Sequence, residues 1–258
     1  METHLFENVI FGPINSRRLG VSLGVNLLPL ESKLCNFDCV YCECGWTDLK
    51  SFPKIHFFSR EDIKIKLKEK LEELSKNKTD LNSITFAGNG EPTMHPLFEE
   101  IIDDTIELRN IYYPDCKISV LSNSLMLNNP KVVTALKKID NRIMKLDAGS
   151  ETTFQLINQP LNNRNLDWVV QQLKKFNGDL TIQTLFVKGD HNGAHIDNTT
   201  EEEINNWLEI LKTLTPKEVM LYSIDRPTPE KNLEKIPKEK LMEIAKKVES
   251  IGINAIVN

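Results

Sequence analysis

The segment CNFDCVYCEC, residues 35–44, gathers four of the chain's five cysteines into ten positions. An odd total of thiols, most of them this close together, does not make a disulfide framework, so the clustering points to metal or redox chemistry. Cys35, Cys39 and Cys42 are spaced C-x3-C-x2-C and flanked by Asn36, Asp38 and Gly45, residues that favour irregular backbone. Thiolates so near one another can converge on one soft centre, either Zn2+ or an iron–sulfur cluster. Paired zinc knuckles bring a second C-x2-C or H-x3-H pair, and none follows here. Three ligands leave one iron of a cubane without protein sulfur, and an open position belongs to catalytic rather than structural metal sites. Cys44 would close the site as a fourth ligand, but a one-residue gap wraps poorly around a cluster corner, so it reads as a bystander thiol. Cys116 reads as a small buried hydrophobe at the entrance to a strand.

Outward from this segment, strand-like and helix-like stretches alternate. GVSLGVNLL (20–28) is a first strand, and Ile63, Leu67, Leu71 and Leu74 mark one face of a helix over about 60–76. SITFAG (83–88) is strand, and Pro96 opens a helix with Leu97, Ile101 and Ile102. KISVLS (117–122) is strand, and Asn129-Pro130 makes an N-cap and first turn. RIMKLD (142–147) is strand, with helices at 151–157 and 165–176; LTIQTLFV (180–187) is strand. Thr200 with Glu203 forms a capping box ahead of Ile204, Trp207, Leu208, Leu211 and Leu214. EVMLYSI is strand, Pro237 opens a last helix, and INAIV is one further strand. Alternation of this kind predicts an α/β fold with a parallel sheet. Polar groups follow every strand: the cysteine stretch, GNGEPT (88–93), SNS (122–124), DAGS (147–150), KGDHN (188–192) and DRPTP (225–229). A doubly wound sheet would concentrate such groups at its switch point. A barrel gathers them on one rim, so the expectation is a partial (β/α)6 barrel with outer helices, one domain over 1–258.

Net charge is −5, with 40% hydrophobic and 27% charged residues well mixed. That argues against a protein living on non-specific phosphate contacts, so no DNA partner is expected. No apolar run approaches a membrane span, and METHLFENVIFG has neither a basic nor an apolar leader region, so a cytoplasmic protein without membrane partners is expected.

C-x3-C-x-aromatic-C, with Tyr41 as the aromatic, resembles the cluster loop of the radical S-adenosylmethionine (SAM) superfamily, and GNGEP resembles that superfamily's Gly-Gly-Glu-Pro element. FGPINSRRLGVSLGVN, KLDAGSETTFQLINQP and LYSIDRPTP resemble iron–sulfur oxidoreductases related to wyosine-forming tRNA enzymes, so the likeness spans nearly the whole chain. The resemblance implies a [4Fe–4S] cluster held by Cys35, Cys39 and Cys42, with SAM on the fourth iron. One-electron cleavage would give a 5′-deoxyadenosyl radical that abstracts hydrogen from a substrate, for instance a nucleotide or tRNA base. It places Tyr41 near the adenine, Gly88, Asn89, Gly90 and Glu91 at the methionine ammonium, and Ser122 and Asn123 at the ribose. Lys145 either meets the SAM carboxylate or pairs with Asp147, which shares its strand face. Gln183 either approaches SAM or fills the barrel. Reduced flavodoxin or ferredoxin is implied as electron donor. No cysteine precedes Cys35, whereas the wyosine-forming enzymes carry extra N-terminal cysteines for a second cluster, so one cluster is expected.

On the substrate side, Arg17, Arg18, Asn26, His191, Asn192, Tyr222, Asp225 and Arg226 are the polar groups expected near the rim. Asp225 and Arg226 stand first as catalytic candidates because they follow a strand and precede a Pro-stiffened loop; a local ion pair shaping that loop is the alternative. His191 reads as a solvated loop residue. Two other functions remain open: an activase placing a radical on a partner protein, and a non-catalytic zinc or cluster-binding module using all four local thiols.

Overall fold

The computed structural model describes residues 4–48 and 55–258, so the first three residues of the leader reading lie outside the described residues. In chain order come β1 (Ile10–Ser16), β2 (Gly20–Val25), α1 (Arg60–Lys76), β3 (Ser83–Phe86), α2 (Phe98–Tyr112), β4 (Lys117–Ser122), α3 (Pro130–Lys138), β5 (Asn141–Lys145) and α4 (Glu151–Asn158). There follow α5 (Leu166–Leu173), β6 (Thr181–His191), β7 (Ala194–Asp197), α6 (Glu201–Leu214), β8 (Glu218–Ser223), β9 (Leu233–Lys235), α7 (Lys238–Ser250) and β10 (Asn254–Val257). The sheet runs β1-β2-β3-β4-β5-β6-β8-β10, parallel from β2 onward, and β1 joins antiparallel to β2. It is curved but not closed. The turn between β1 and β2 reaches β8 across four intervening strands, with Arg17 paired to Asp225 at 3.1 Å. Among the described residues, no helix is long and apolar enough to cross a membrane.

Side chains alternate along each strand, and the two faces of the sheet differ in kind. Leu23, Ile84, Phe86, Val120, Ile182 and Leu221 are buried in one core with the apolar stripes of the helices. The opposite face carries a row of small polar side chains beside Leu121 and Ile143. Ser22 Oγ lies 2.7 Å from Thr85 Oγ1, which continues through Ser83 (2.9 Å) and Ser119 (2.8 Å) to Asn141. These groups satisfy one another; Ser22 and Thr85, with Gly24, Ala87, Leu121 and Ile143, line a chamber of 530 Å³ inside the barrel.

Several expected boundaries move. The first strand ends at Val25 because the Asn26 side chain takes over, its Oδ1 accepting from Leu28 N at 3.2 Å and Asn89 N at 3.1 Å. The antiparallel β1 was not expected, since Gly12-Pro13 interrupts its alternation at a bulge between Phe11 and Ile14. All of KGDHN but Asn192 is strand rather than loop: β6 runs on through His191 and carries β7 and β9 as antiparallel partners, forming a flap beyond the sheet. The capping box of α6 is half made. Thr200 Oγ1 accepts from Glu203 N at 3.2 Å, but the Glu203 carboxylate leaves its own helix and accepts from Gly149 N (2.9 Å) and Ser150 N (3.2 Å), tying α6 to the start of α4.

Helices α1 and α2 are joined by Asp104, whose nearly buried carboxylate accepts from Arg60 Nε (2.6 Å) and Nη2 (2.9 Å) and from Lys64 Nζ (2.9 Å). The Arg60 hydrogen bonds hold its pKa below the usual carboxylate value. A depressed folded pKa contributes stability that is complete above the unfolded value and lost as pH falls through the folded one. Asp104→Asn should therefore lower unfolding free energy by about 1 kcal/mol at neutral pH. In urea melts the gap to the parent chain should close as the pH drops below about 4; a gap independent of pH would contradict the assignment.

Candidate active site

The cysteine loop is held from both sides by backbone hydrogen bonds. On one side Leu34 N donates to Asn89 O at 2.8 Å and Leu34 O accepts from Glu91 N at 3.0 Å. On the other, Asp38 N and Val40 N donate to the carbonyls of Asn158 (3.1 Å) and Ile157 (3.0 Å). Those carbonyls belong to the last turn of α4 and have no partner within the helix. The loop thus completes the helix end while the helix fixes the loop. At Gly90 the chains approach so closely that a Cβ would lie 1.8 Å from Leu34 O, and φ is +135°. Glycine alone fits there.

Cys35, Cys39, Cys42 and Cys44 all line one cavity of 290 Å³. Cys35 Sγ accepts from Phe37 N (3.4 Å) and Asn123 Nδ2 (3.5 Å), and Cys39 Sγ from Asn158 Nδ2 (3.5 Å). Cys44 Sγ instead donates to Gly88 O at 3.6 Å. Lys33, whose ammonium donates to Asp38 (3.0 Å) and Gly45 O (2.9 Å), is buried beside the thiols. Burial works against its charge, yet Cys42, Cys35, Cys39 and Asp38 more than offset this and raise its pKa. Burial pushes the Cys39 thiol up to about 11 and the Cys35 thiol higher still, while the Cys44 hydrogen bond draws Cys42 down. Soft sulfur donors beside a buried cation suit an anionic iron–sulfur cluster. Among the described residues, no three His, Cys, Asp or Glu side chains close around a single ion; the sulfurs face a hollow instead.

The remaining candidates divide. Tyr41, Gly88, Gly90, Glu91, Ser122, Asn123, Lys145 and Gln183 line the same cavity as the thiols. Glu91 is buried and accepts from Thr93, from Ser122 Oγ (2.9 Å) and from Asn123 N (2.6 Å), with burial raising its pKa. Lys145 pairs with Asp147 at 3.5 Å and also lines the cavity, with Tyr222 Oη at 3.3 Å. Asn89 and Asp147 do not line it. Asn89 is spent on structure: its amide accepts from Phe6 N (2.8 Å) and donates to Phe6 O (3.0 Å) and Pro29 O (2.8 Å). Asp147 lies behind Tyr41, accepting from the Tyr41 hydroxyl, Asn158 Nδ2 (2.7 Å) and Leu185 N (2.9 Å), so its oxygens are satisfied by the protein.

Asp225 and Arg226 do not line the thiol cavity; they line the interior chamber. Their side chains are 45% and 56% exposed and pair with other segments rather than with each other: Asp225 with Arg17 and Lys235, Arg226 with Glu43 at 2.8 Å. Their geometry is that of rim ion pairs. His191 is not solvated; its ring accepts or donates to Glu230 at 2.8 Å and lies 5.5 Å from the Trp46 ring, seating the flap on the cysteine loop. Lys33, Asn36 and Asn158 were not foreseen as site residues. Lys33 stands two positions before Cys35, the one signal available; Asn158 acts only because α4 delivers it.

Replacing Gly90 by Ala should displace Leu34 and with it Cys35. Gly193→Ala, where an added Cβ meets nothing within 4 Å despite φ +79°, isolates the cost of the backbone angle. Gly90→Ala should melt at least about 1 kcal/mol below Gly193→Ala and retain less iron after anaerobic reconstitution. Equal melting and equal iron would refute the close approach.

Comparison with known proteins bears on this geometry. The pattern of the Radical SAM superfamily matches residues 32–202. "UPF0026 protein MJ1312" of Methanocaldococcus jannaschii is 32% identical over 257 residues, covering 96% of this chain and 74% of that protein. A Brachyspira hyodysenteriae protein named "GTPase Obg" is 30% identical over 242 residues, 92% of this chain; the chain spans 33% of that relative's length. No G-x4-G-K-S/T stretch occurs here. In fold the chain is similar to a radical SAM methyltransferase from Sphaerobacter thermophilus (TM-score 0.64, 16% identity, 92% of this chain and 65% of that one). It is also similar to TYW1 with a lysine-pyruvate adduct bound (TM-score 0.57, 14% identity, 89% and 73%). With most of its length matched and the thiol cavity where the pattern lies, the chain belongs to the radical SAM superfamily, a family of enzymes that use SAM and an iron–sulfur cluster.

Proposed function

We propose that the chain holds a single [4Fe–4S] cluster on Cys35, Cys39 and Cys42 and binds SAM at the open iron, in the cavity those thiols line. The observation that carries this reading is the convergence of the thiols with Glu91, Ser122, Asn123, Lys145 and Gln183 on one 290 Å³ hollow. When bound, the cluster supplies one electron that cleaves SAM and lets the resulting radical take a hydrogen atom from the substrate. The protein's own part is to hold and to shield. Lys33 offsets the negative charge of the thiolates from a site closed to water. Glu91, anchored by the loop after β4, presents a carboxylate to a cationic ammonium, and Lys145 an ammonium to a carboxylate. Tyr41 is pinned through Asp147, which gives its ring a fixed orientation at the cavity wall. Cys44 Sγ lies 3.6 Å from Gly88 O, a contact that suits a bystander thiol better than a fourth ligand. Reduced flavodoxin or ferredoxin would deliver the electron, and the polar chamber behind the cavity would receive the substrate, a nucleotide or RNA base being one that its size admits.

Anaerobic reconstitution tests the reading. Cys35→Ala, Cys39→Ala and Cys42→Ala should each lose most of their iron and the iron–sulfur EPR signal, and should form no 5′-deoxyadenosine with dithionite and SAM. Cys44→Ala should keep both. Loss of iron in Cys44→Ala equal to that in the other three, or tightly bound zinc in the parent chain, would overturn it.

A further inference from the structure

The interior chamber lies directly behind the cofactor cavity, and the two share Arg18, Glu43, Ala87, Leu121 and Gln183. At that shared wall two hydrogen-bond donors have no partner. Gln183 is 4% exposed, and its Nε2 is buried without an acceptor. Arg18 lays its guanidinium over the Tyr222 ring, 4.8 Å from the centroid, and its Nη1 is likewise buried and unpaired. The neighbouring charges are matched: Arg17 with Asp225 at 3.1 Å, Arg226 with Glu43 at 2.8 Å, Lys145 with Asp147 at 3.5 Å. Arg18 makes no ion pair with any described residue. Buried donors are normally satisfied, so two orphans on one wall mark the place of a ligand's acceptors. Both groups donate, and one is a permanent cation with a planar fork of N–H groups, which suits the oxygens of a carboxylate or phosphate.

We infer that the chamber is the substrate pocket and that Arg18 and Gln183 grip an anionic oxygen group, carboxylate or phosphate, on a small substrate. This deepens the function proposed above and rests on it. The chamber's 530 Å³ is of small-molecule size. Elsewhere its lining is mixed, with the uncharged Ser22 and Thr85 hydroxyls beside Phe11, Leu121 and Ile143. An anion held at the shared wall sets the part of the substrate next to it beside the cavity where SAM would sit, with the remainder in the chamber. Arg18 and Gln183 are thus specificity-determining residues, reading the charge of the substrate. The Tyr222 ring beneath the guanidinium keeps the fork in place by cation–π contact.

The test uses the anaerobically reconstituted chain and calorimetric titration with orthophosphate and, separately, acetate, each with and without saturating SAM. At least one anion should bind in the millimolar range. Arg18→Gln and Gln183→Leu should each weaken it at least tenfold, and SAM should leave it in place; whichever anion binds more tightly names the substrate group. Binding of neither anion to iron-loaded protein, binding unchanged in both variants, or displacement of the anion by SAM would overturn the inference, the last because the two donors would then serve SAM's own carboxylate. A preparation that takes up no iron and cleaves no SAM tells against the proposed function instead, so the two failures are distinguishable.

Discussion

The grip on the cysteine loop is the constraint on which the other placements depend. Loop residues donate to the free carbonyls at the end of α4 on one flank and pair with Asn89 and Glu91 on the other. A helix end and an irregular loop each have backbone groups they cannot satisfy alone, and each supplies what the other lacks. Because Gly90 admits Leu34 at a distance no side chain would allow, the loop descends into the rim and its sulfurs face inward. The same contact sets Glu91 against Ser122 and Asn123, so one backbone pairing positions the thiols and the carboxylate together.

The sheet supplies the second half of the design. Its outward face is a continuous apolar core with the helices, which carries the hydrophobic stabilisation. That leaves the inward face free to carry polar groups, and the Ser and Thr row there is internally hydrogen-bonded rather than charged. A barrel interior of this kind is a chamber and not a packed plug. The flap formed by β6, β7 and β9 settles on the cysteine loop through His191 and Trp46.

Much of this was legible in the sequence. The thiol spacing, the glycine-rich element after a strand and the polar rim residues all carry local signals, and the parallel α/β order follows from periodicity. What escaped notice depends on distant contacts. Asn89 sits inside the glycine-rich motif yet spends its amide on Phe6 and Pro29, segments no spacing rule connects to it. Asp147, expected at the end of its strand, lies two residues beyond it and is turned behind Tyr41, because Leu185 N and Asn158 claim its oxygens. Lys33 looks like one more surface lysine until the fold buries it beside the sulfurs. The strand through KGDHN was hidden because Gly189 and Asp190 read as turn residues, and its partners β7 and β9 are short and half-exposed.

If the proposed cluster is bound, one of its irons is left without protein sulfur in the cavity. The most direct measurement is the Mössbauer spectrum of the chain reconstituted with 57Fe, recorded before and after SAM is added. One iron site should change its isomer shift and quadrupole splitting toward higher coordination while the others stay as they were. A spectrum untouched by SAM, with every iron in the same all-sulfur environment, would contradict it.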